Sequence, residues 1–449
     1  MKFPLLWILA AVFLLQKGAQ GGFHTLECHG DDCKPPAILS QQFEPLEGPK
    51  IAYGIMVYQR QGRTVDAVLR QFERLFEALY HPENTYVIHV DVKSDPHLIE
   101  EMDRYLDFFE NTHQLHPVSV SWAGITVVER TLALMQVALE QDPTWGYFVN
   151  IGHEDYPAMG QGQMSAWLGR HEVETGGPVN FIKCWDILGH DFFGQWEHHE
   201  RRVEVVTIDN FVGGTEDTSY TRPRDDLRGI KFYKSLQQTT LHRDFVDYAV
   251  YGIESRRILL FMANSKAPDE IFFPTVLQTR PDLAETATCD DTRHFSHWIR
   301  PGGSWHPEYL RIEHLKLVLD SGKFFLRKTD GDSAGLLDAL DALRGGRALE
   351  TLGDLVYERV WEDARKEAGI HADQDALDMV AALDRWRAER DEHQIALFKE
   401  WLKRRREEYL KNKANKEART ATKASGGAAQ SVGSEGLLTF QKPDKKQKH

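Results

Sequence analysis

The chain has 449 residues, 41% hydrophobic and 27% charged, which suits one large globular domain with appendages, or two domains, and excludes a wholly disordered chain. Its net charge of -14 excludes nucleic acid as a partner, because such binding draws on a basic surface. Any phosphate the protein holds must meet a local cluster of Arg and Lys.

Residues 1–22 read as a targeting segment, with Lys2, an apolar stretch from Phe3 to Leu15, then Lys17 and small residues. A helix of that stretch reaches only about 20 Å, short of a ~30 Å hydrocarbon core. A cleaved signal peptide and an uncleaved signal anchor both fit, and either delivers the body to the secretory lumen. Cys28 and Cys33 enclose a small loop that an oxidising lumen could close, with free thiols as the alternative. Residues 23–49, carrying Pro35, Pro36, Pro45 and Pro49, read as a stem or linker.

The folded body begins with a buried strand from Ile51 to Tyr58, followed by Val65, Val68, Leu69, Phe72, Phe76 and Leu79 at helical spacing. A strand from Tyr86 to Val90, a helix from Pro96 to Phe109, a strand at Val118 to Val120 and a helix from Thr126 to Glu140 come next. In that last helix Val128, Leu132, Met135 and Leu139 share a face. Strands at Tyr147 to Ile151 and Asn180 to Lys183 complete an alternation that predicts an α/β sheet with helices on both faces. Ligands of such sheets gather at the carboxyl ends of the strands, here Tyr58, Asp91, Trp122 and the loop from Gly152 to Pro157.

Long loops are expected from about Cys184 to Gly229, and helices over Asp244 to Gly252 and Asp269 to Gln278. Residues 331–412 read as a helical extension with Trp361, Trp386 and Trp401 as packing anchors, and residues 413–449 as a disordered tail.

Asp91 and Lys93, just past a strand end, could serve ribose or uracil and a phosphate, although a solvated strand-end Asp is the commoner arrangement. His190, Asp191, Glu197, His198, His199 and Glu200 lack a His-Glu-X-X-His spacing and read as surface-loop residues rather than a zinc site.

Several collinear motifs carry a more specific signal. They are Tyr80-His81-Pro82-Glu83-Asn84, His89-Val90-Asp91, Ser121-Trp122-Ala123-Gly124, Asp155-Tyr156-Pro157, Leu241-His242-Arg243, Ala267-Pro268-Asp269-Glu270-Ile271-Phe272, and Ser321-Gly322 through Arg327-Lys328. In this order and spacing the chain resembles, over residues 50–330, the core-2/I-branching N-acetylglucosaminyltransferase family, which includes the peptide-O-xylosyltransferases. The resemblance implies a GT-A-like (Rossmann-like) fold, a UDP-sugar donor, inversion at the anomeric carbon and no metal or other cofactor. It implies Glu270 as catalytic base, Asp91, Lys93, Arg293, Arg327 and Lys328 around the donor, and Trp122, Glu154 and Asp155 in the acceptor or sugar pocket.

The expected product is a sugar, N-acetylglucosamine foremost and xylose next, on a hydroxyl of a glycan or glycoprotein, made in the Golgi by a membrane-anchored or secreted protein. A catalytically silent relative that binds glycans or partner proteins is the rival reading. His153 stands where the family has glycine, and Ser235 to Thr240 replaces the family's Gly-Ser and aromatic residues, so the pocket departs from the family's pattern.

Overall fold

The structure, a computed structural model, describes residues 28–29, 32–33, 35–187, 201–210, 213–222, 229–298 and 306–344. The targeting segment, the histidine-rich stretch from His190 to Glu200, Trp361, Trp386, Trp401 and the tail lie outside them. Of the extension, the 3-10 turn Gly331–Ser333 and the helix Ala334–Arg344 are described. No helix among the described residues is long and apolar enough to cross a membrane.

Ile51–Val57 (β1) is buried at every position, as its continuous apolar run requires. Gly54 sits at its centre because a Cβ there would lie 2.4 Å from Cζ of Phe148 on the neighbouring strand. Helix Val65–Leu79 (α1) starts where the Thr64 hydroxyl accepts from Ala67 N, and it buries Val68, Leu69, Phe72, Leu75, Phe76 and Leu79. Thr85–Val90 (β2) follows, then Pro96–Leu106 (α2), capped by Asp95 with Pro96 in its first turn.

The third strand differs from expectation. It is Thr112–Leu115 (β3), not Val118 to Val120. β3 is a half-buried edge strand whose polar residues pair with Tyr86 to His89 through the backbone, so it carries no apolar run. Residues 118–120 instead form a loop bound to side chains of β2 and the residue after it: Val118 N donates to His89 Nε2 and Val120 N to Asp91 Oδ2.

Helix Ile125–Gln141 (α3) leads to Tyr147–Gly152 (β4), the short strand Asp155–Pro157 (β5), helix Gln161–Thr175 (α4) and Asn180–Lys183 (β6). Val127, Val128, Thr131, Leu134, Met135 and Ala138 form the buried face of α3, with the expected Leu132 and Leu139 at its margins. Two short strands, Trp185–Asp186 (β7) and Tyr233–Lys234 (β8), pair with each other. Thr240–His242 (β9) then enters the main sheet ahead of helix Arg243–Tyr251 (α5).

The predicted helix from Asp269 to Gln278 is two pieces, a 3-10 turn Pro268–Glu270 and helix Phe272–Leu277 (α6), joined at Ile271. Ala287–Cys289 (β10), His294–Ser296 (β11) and Phe325–Arg327 (β12) complete the strands used below. The seven-stranded sheet runs β10-β6-β9-β4-β1-β2-β3, and a smaller one runs β11-β12-β5. Strands β4, β1, β2 and β3 are parallel, and β9 lies antiparallel between β4 and β6. Cys184 and Cys289, which the sequence did not pair, form a disulfide with Cα atoms 4.5 Å apart.

One buried acid in α1 has a measurable consequence. Glu73 is 2% exposed, and neither carboxylate oxygen has a hydrogen-bond partner. Burial, reinforced by the charge of Glu77, pushes its pKa up to about 8. Between the ordinary carboxylate value and about 8 the folded state binds the extra proton, so Glu73 lowers stability as pH rises through that window. Glu73→Met should therefore raise Tm more at pH 8 than at pH 5. Equal gains at both pH values, measured by thermal denaturation, would refute this.

Candidate active site

The parallel strands end on one side of the sheet, and a charged cluster gathers there. Glu154, just beyond β4, is 3% exposed and accepts hydrogen bonds from Tyr58 Oη and Arg60 Nη2, both at 2.9 Å, and from Tyr309 Oη at 3.3 Å. Burial alone would raise its pKa, but the imidazole of His153 and the cations Arg60, Arg327 and Lys328 outweigh burial and hold it ionised. His153 itself is pushed down to about 4, by burial first, and packs edge-on against Tyr58.

Lys328 follows β12 into this cluster. It is 3% exposed, its ammonium lies 5.3 Å from the Tyr309 ring centroid, and among the described residues it has neither an ion pair nor a hydrogen-bond acceptor. Burial lowers its pKa to about 8. Glu154 acts on it only from beyond ion-pair distance, and a nearly buried ammonium without a direct partner is costly, a cost that an arriving anion relieves. Arg327 is differently engaged. Its guanidinium Nη1 donates to Asp155 Oδ1 at 2.9 Å, while Asp155, 0% exposed, also accepts from Gly152 N at 2.6 Å.

Asp91 and Lys93 bond to each other. Lys93 Nζ lies 2.6 Å from Asp91 Oδ2, and Lys93 N donates to Asp91 Oδ1 at 2.9 Å. The same ammonium donates to the Val120 carbonyl at 2.7 Å, so the pair staples the 118–122 loop to β2. Trp122, at the tip of that loop, is 61% exposed, with its ring 5.6 Å from that of His306. Arg293 is farther along: it pairs with Asp291, donates to the Gly322 carbonyl and lies 4.1 Å over the Trp167 ring.

Glu270 ends the 3-10 turn whose entry, Ala267 N, donates to the Ala123 carbonyl at 2.8 Å, placing the turn against the loop of Trp122. Its backbone carbonyl accepts from Ser235 N at 2.7 Å. One carboxylate oxygen takes Arg202 Nη1 and lies 3.2 Å from Lys234 Nζ. Burial would push Glu270 up, but Lys234 and Arg202 bring its pKa below the ordinary value. Burial and the neighbouring charge of Glu270 push Asp269 up to about 7. The partners Arg60, Tyr309, Arg202 and Lys234 escaped sequence reasoning, because only Arg60 stands near a recognisable strand end.

A fixed carboxylate and an ammonium with no direct ion pair at the carboxyl end of a mostly parallel sheet suit transfer to an acceptor hydroxyl with departure of an anion. The fold and site define a GT-A-like glycosyltransferase. Residues 51–319 match the family model described as Core-2/I-Branching enzyme, and the chain belongs to that family, glycosyltransferase family 14. It is 26% identical to Beta-glucuronosyltransferase GlcAT14A of Arabidopsis thaliana, over 68% of this chain and 66% of the relative. It is 27% identical to Xylosyltransferase 2 of Rattus norvegicus, over 58% of this chain but 28% of the relative. The chain thus spans just under two thirds of the first relative and little more than a quarter of the second.

Proposed function

We propose that the chain moves a sugar from a UDP-sugar to an acceptor hydroxyl on a glycan or glycoprotein, with inversion and without a metal. The acceptor hydroxyl attacks the anomeric carbon, Glu270 takes its proton, the bond from that carbon to the diphosphate oxygen breaks, and UDP leaves toward Lys328. The observation that carries this reading is the nearly buried Lys328 ammonium, which has no direct ion pair or hydrogen-bond acceptor among the described residues. Asp91 and Trp122 line the same end of the sheet as further contacts for nucleotide and sugar. The relatives are named for glucuronosyl and xylosyl transfer, which favours those two sugars over N-acetylglucosamine. The Cys184–Cys289 disulfide supports synthesis in an oxidising secretory lumen such as the Golgi.

Lys328→Ala should weaken UDP binding by roughly 10–100-fold, the range for losing a hydrogen bond to a charged group. With the Lys328 pKa at about 8, UDP affinity in the wild type should fall as pH rises above 8, and this dependence should vanish in the variant. Transfer should persist in excess EDTA. Calorimetric titration with UDP and a transfer assay read all three, and a strict need for added manganese would overturn the metal-free mechanism.

A further inference from the structure

A second group of cations gathers about Trp185, next to the turn of Glu270. Lys183, at the end of β6, holds its ammonium 4.6 Å from the centroid of the Trp185 ring, and Lys234 holds its own 5.3 Å from the same ring. The backbone fixes this arrangement. Trp185 pairs with Lys234 across β7 and β8, Lys183 N donates to Ser235 Oγ at 3.1 Å, and the adjoining Cys184 is tied to Cys289.

Charge does not balance there. Glu270 answers Arg202 and Lys234 together, while the Lys183 ammonium has no ion pair or hydrogen-bond acceptor among the described residues. The carboxylates that act on Lys183 from beyond ion-pair distance are Asp290, opposite it in an isolated antiparallel backbone bridge, and Asp291. Asp291 already pairs with Arg293 at 3.0 Å and Lys323 at 2.8 Å. Burial, with the charges of Lys323 and Lys234, disfavours the charged form of Lys183, so a further anion at this point would be favourable.

We propose that Lys183 and Lys234, gathered on Trp185 beside Glu270, form a subsite for the carboxylate of a uronic acid sugar. This rests on the glycosyl-transfer reading above. A diphosphate is already answered by Lys328, which follows a different strand, whereas a neutral sugar would bring Lys183 no ion-pair partner. A hexuronate brings a single carboxylate at the rim of its ring, within reach of an ammonium next to the base. The similarity to relatives named glucuronosyltransferases accords with this chemistry. The uronate can belong to the sugar nucleotide or to the acceptor, and the two sources give different results.

The test titrates wild type, Lys183→Gln and Lys183→Arg with UDP, UDP-glucuronic acid and UDP-glucose. A second arm, with UDP present, uses methyl β-glucuronide and methyl β-glucoside. The wild type is expected to bind the acidic sugar at least about tenfold more tightly than the neutral one in one arm, the scale of a charge-assisted hydrogen bond. Lys183→Gln should lose that preference, Lys183→Arg should keep it, and UDP alone should bind all three alike. Preference in the first arm assigns the subsite to the donor, in the second to the acceptor. UDP binding with no acidic preference, or a preference that survives Lys183→Gln, overturns the subsite alone. A wild type that fails to bind UDP overturns the transferase reading and the subsite with it.

Discussion

Glu270→Gln should lower turnover by about 10²–10⁴-fold, the usual contribution of a positioned general base, while UDP affinity is unchanged. Lys234 and Arg202 keep Glu270 ionised at neutral pH, so it is ready to accept a proton, and the backbone bond from Ser235 N fixes its turn. The next carboxylates in line are poorly placed for that role. Asp155 is wholly buried against Arg327 and Gly152 N, and Glu154 already accepts from two tyrosines and an arginine.

The same geometry says what should happen to folding. Removing the Glu270 charge leaves Arg202 and Lys234 facing Asp269, whose pKa is raised partly by Glu270 itself. Asp269 should therefore ionise in the single variant and supply the missing counter-charge, so Tm changes little. Asp269→Asn should cost much less turnover. The double variant should lose the counter-charge altogether and melt well below either single one. Near-normal turnover by Glu270→Gln in a transfer assay would place the base elsewhere.

Legibility in the sequence tracks burial and locality. Strands β1, β2 and β4 and helices α1 to α3 were readable within a residue or two at most ends, because the strands are nearly continuous apolar runs and the helices carry apolar residues at regular spacing. β3 was not, since a half-buried edge strand is held by backbone bonds and needs no apolar run. At the site, Glu270 and Lys328 were reachable through motifs. Their surroundings were not: Arg202 reaches Glu270 from 68 residues away and Tyr309 reaches Glu154 across 155. Such pairings depend on how loops cross after folding, which no local pattern encodes.

The resemblance placed Arg327 at the donor, whereas the structure has its guanidinium against Asp155, and the two positions predict different variants. Residue 327 is directly opposite 155 in the β12–β5 pairing, so the ion pair joins the small sheet to the turn that carries Glu154, and it sets the strand from which Lys328 projects. Breaking such a buried pair from one side typically costs about 3–5 kcal/mol, because the remaining charge is left without a partner. Asp155→Asn and Arg327→Met should each lower Tm by roughly 6–20 °C, at about 2–4 °C per kcal/mol for domains of this order. Their double variant, lacking both charges, should recover much of that loss, so a double-mutant cycle should return a large coupling energy. UDP affinity should fall in the single variants through misplacement of Lys328 and recover with Tm in the double. If Arg327 instead held the diphosphate directly, Arg327→Met would lose UDP affinity at unchanged Tm, and the double variant would bind UDP no better than the single. Thermal denaturation and UDP titration on the three variants decide between the two roles.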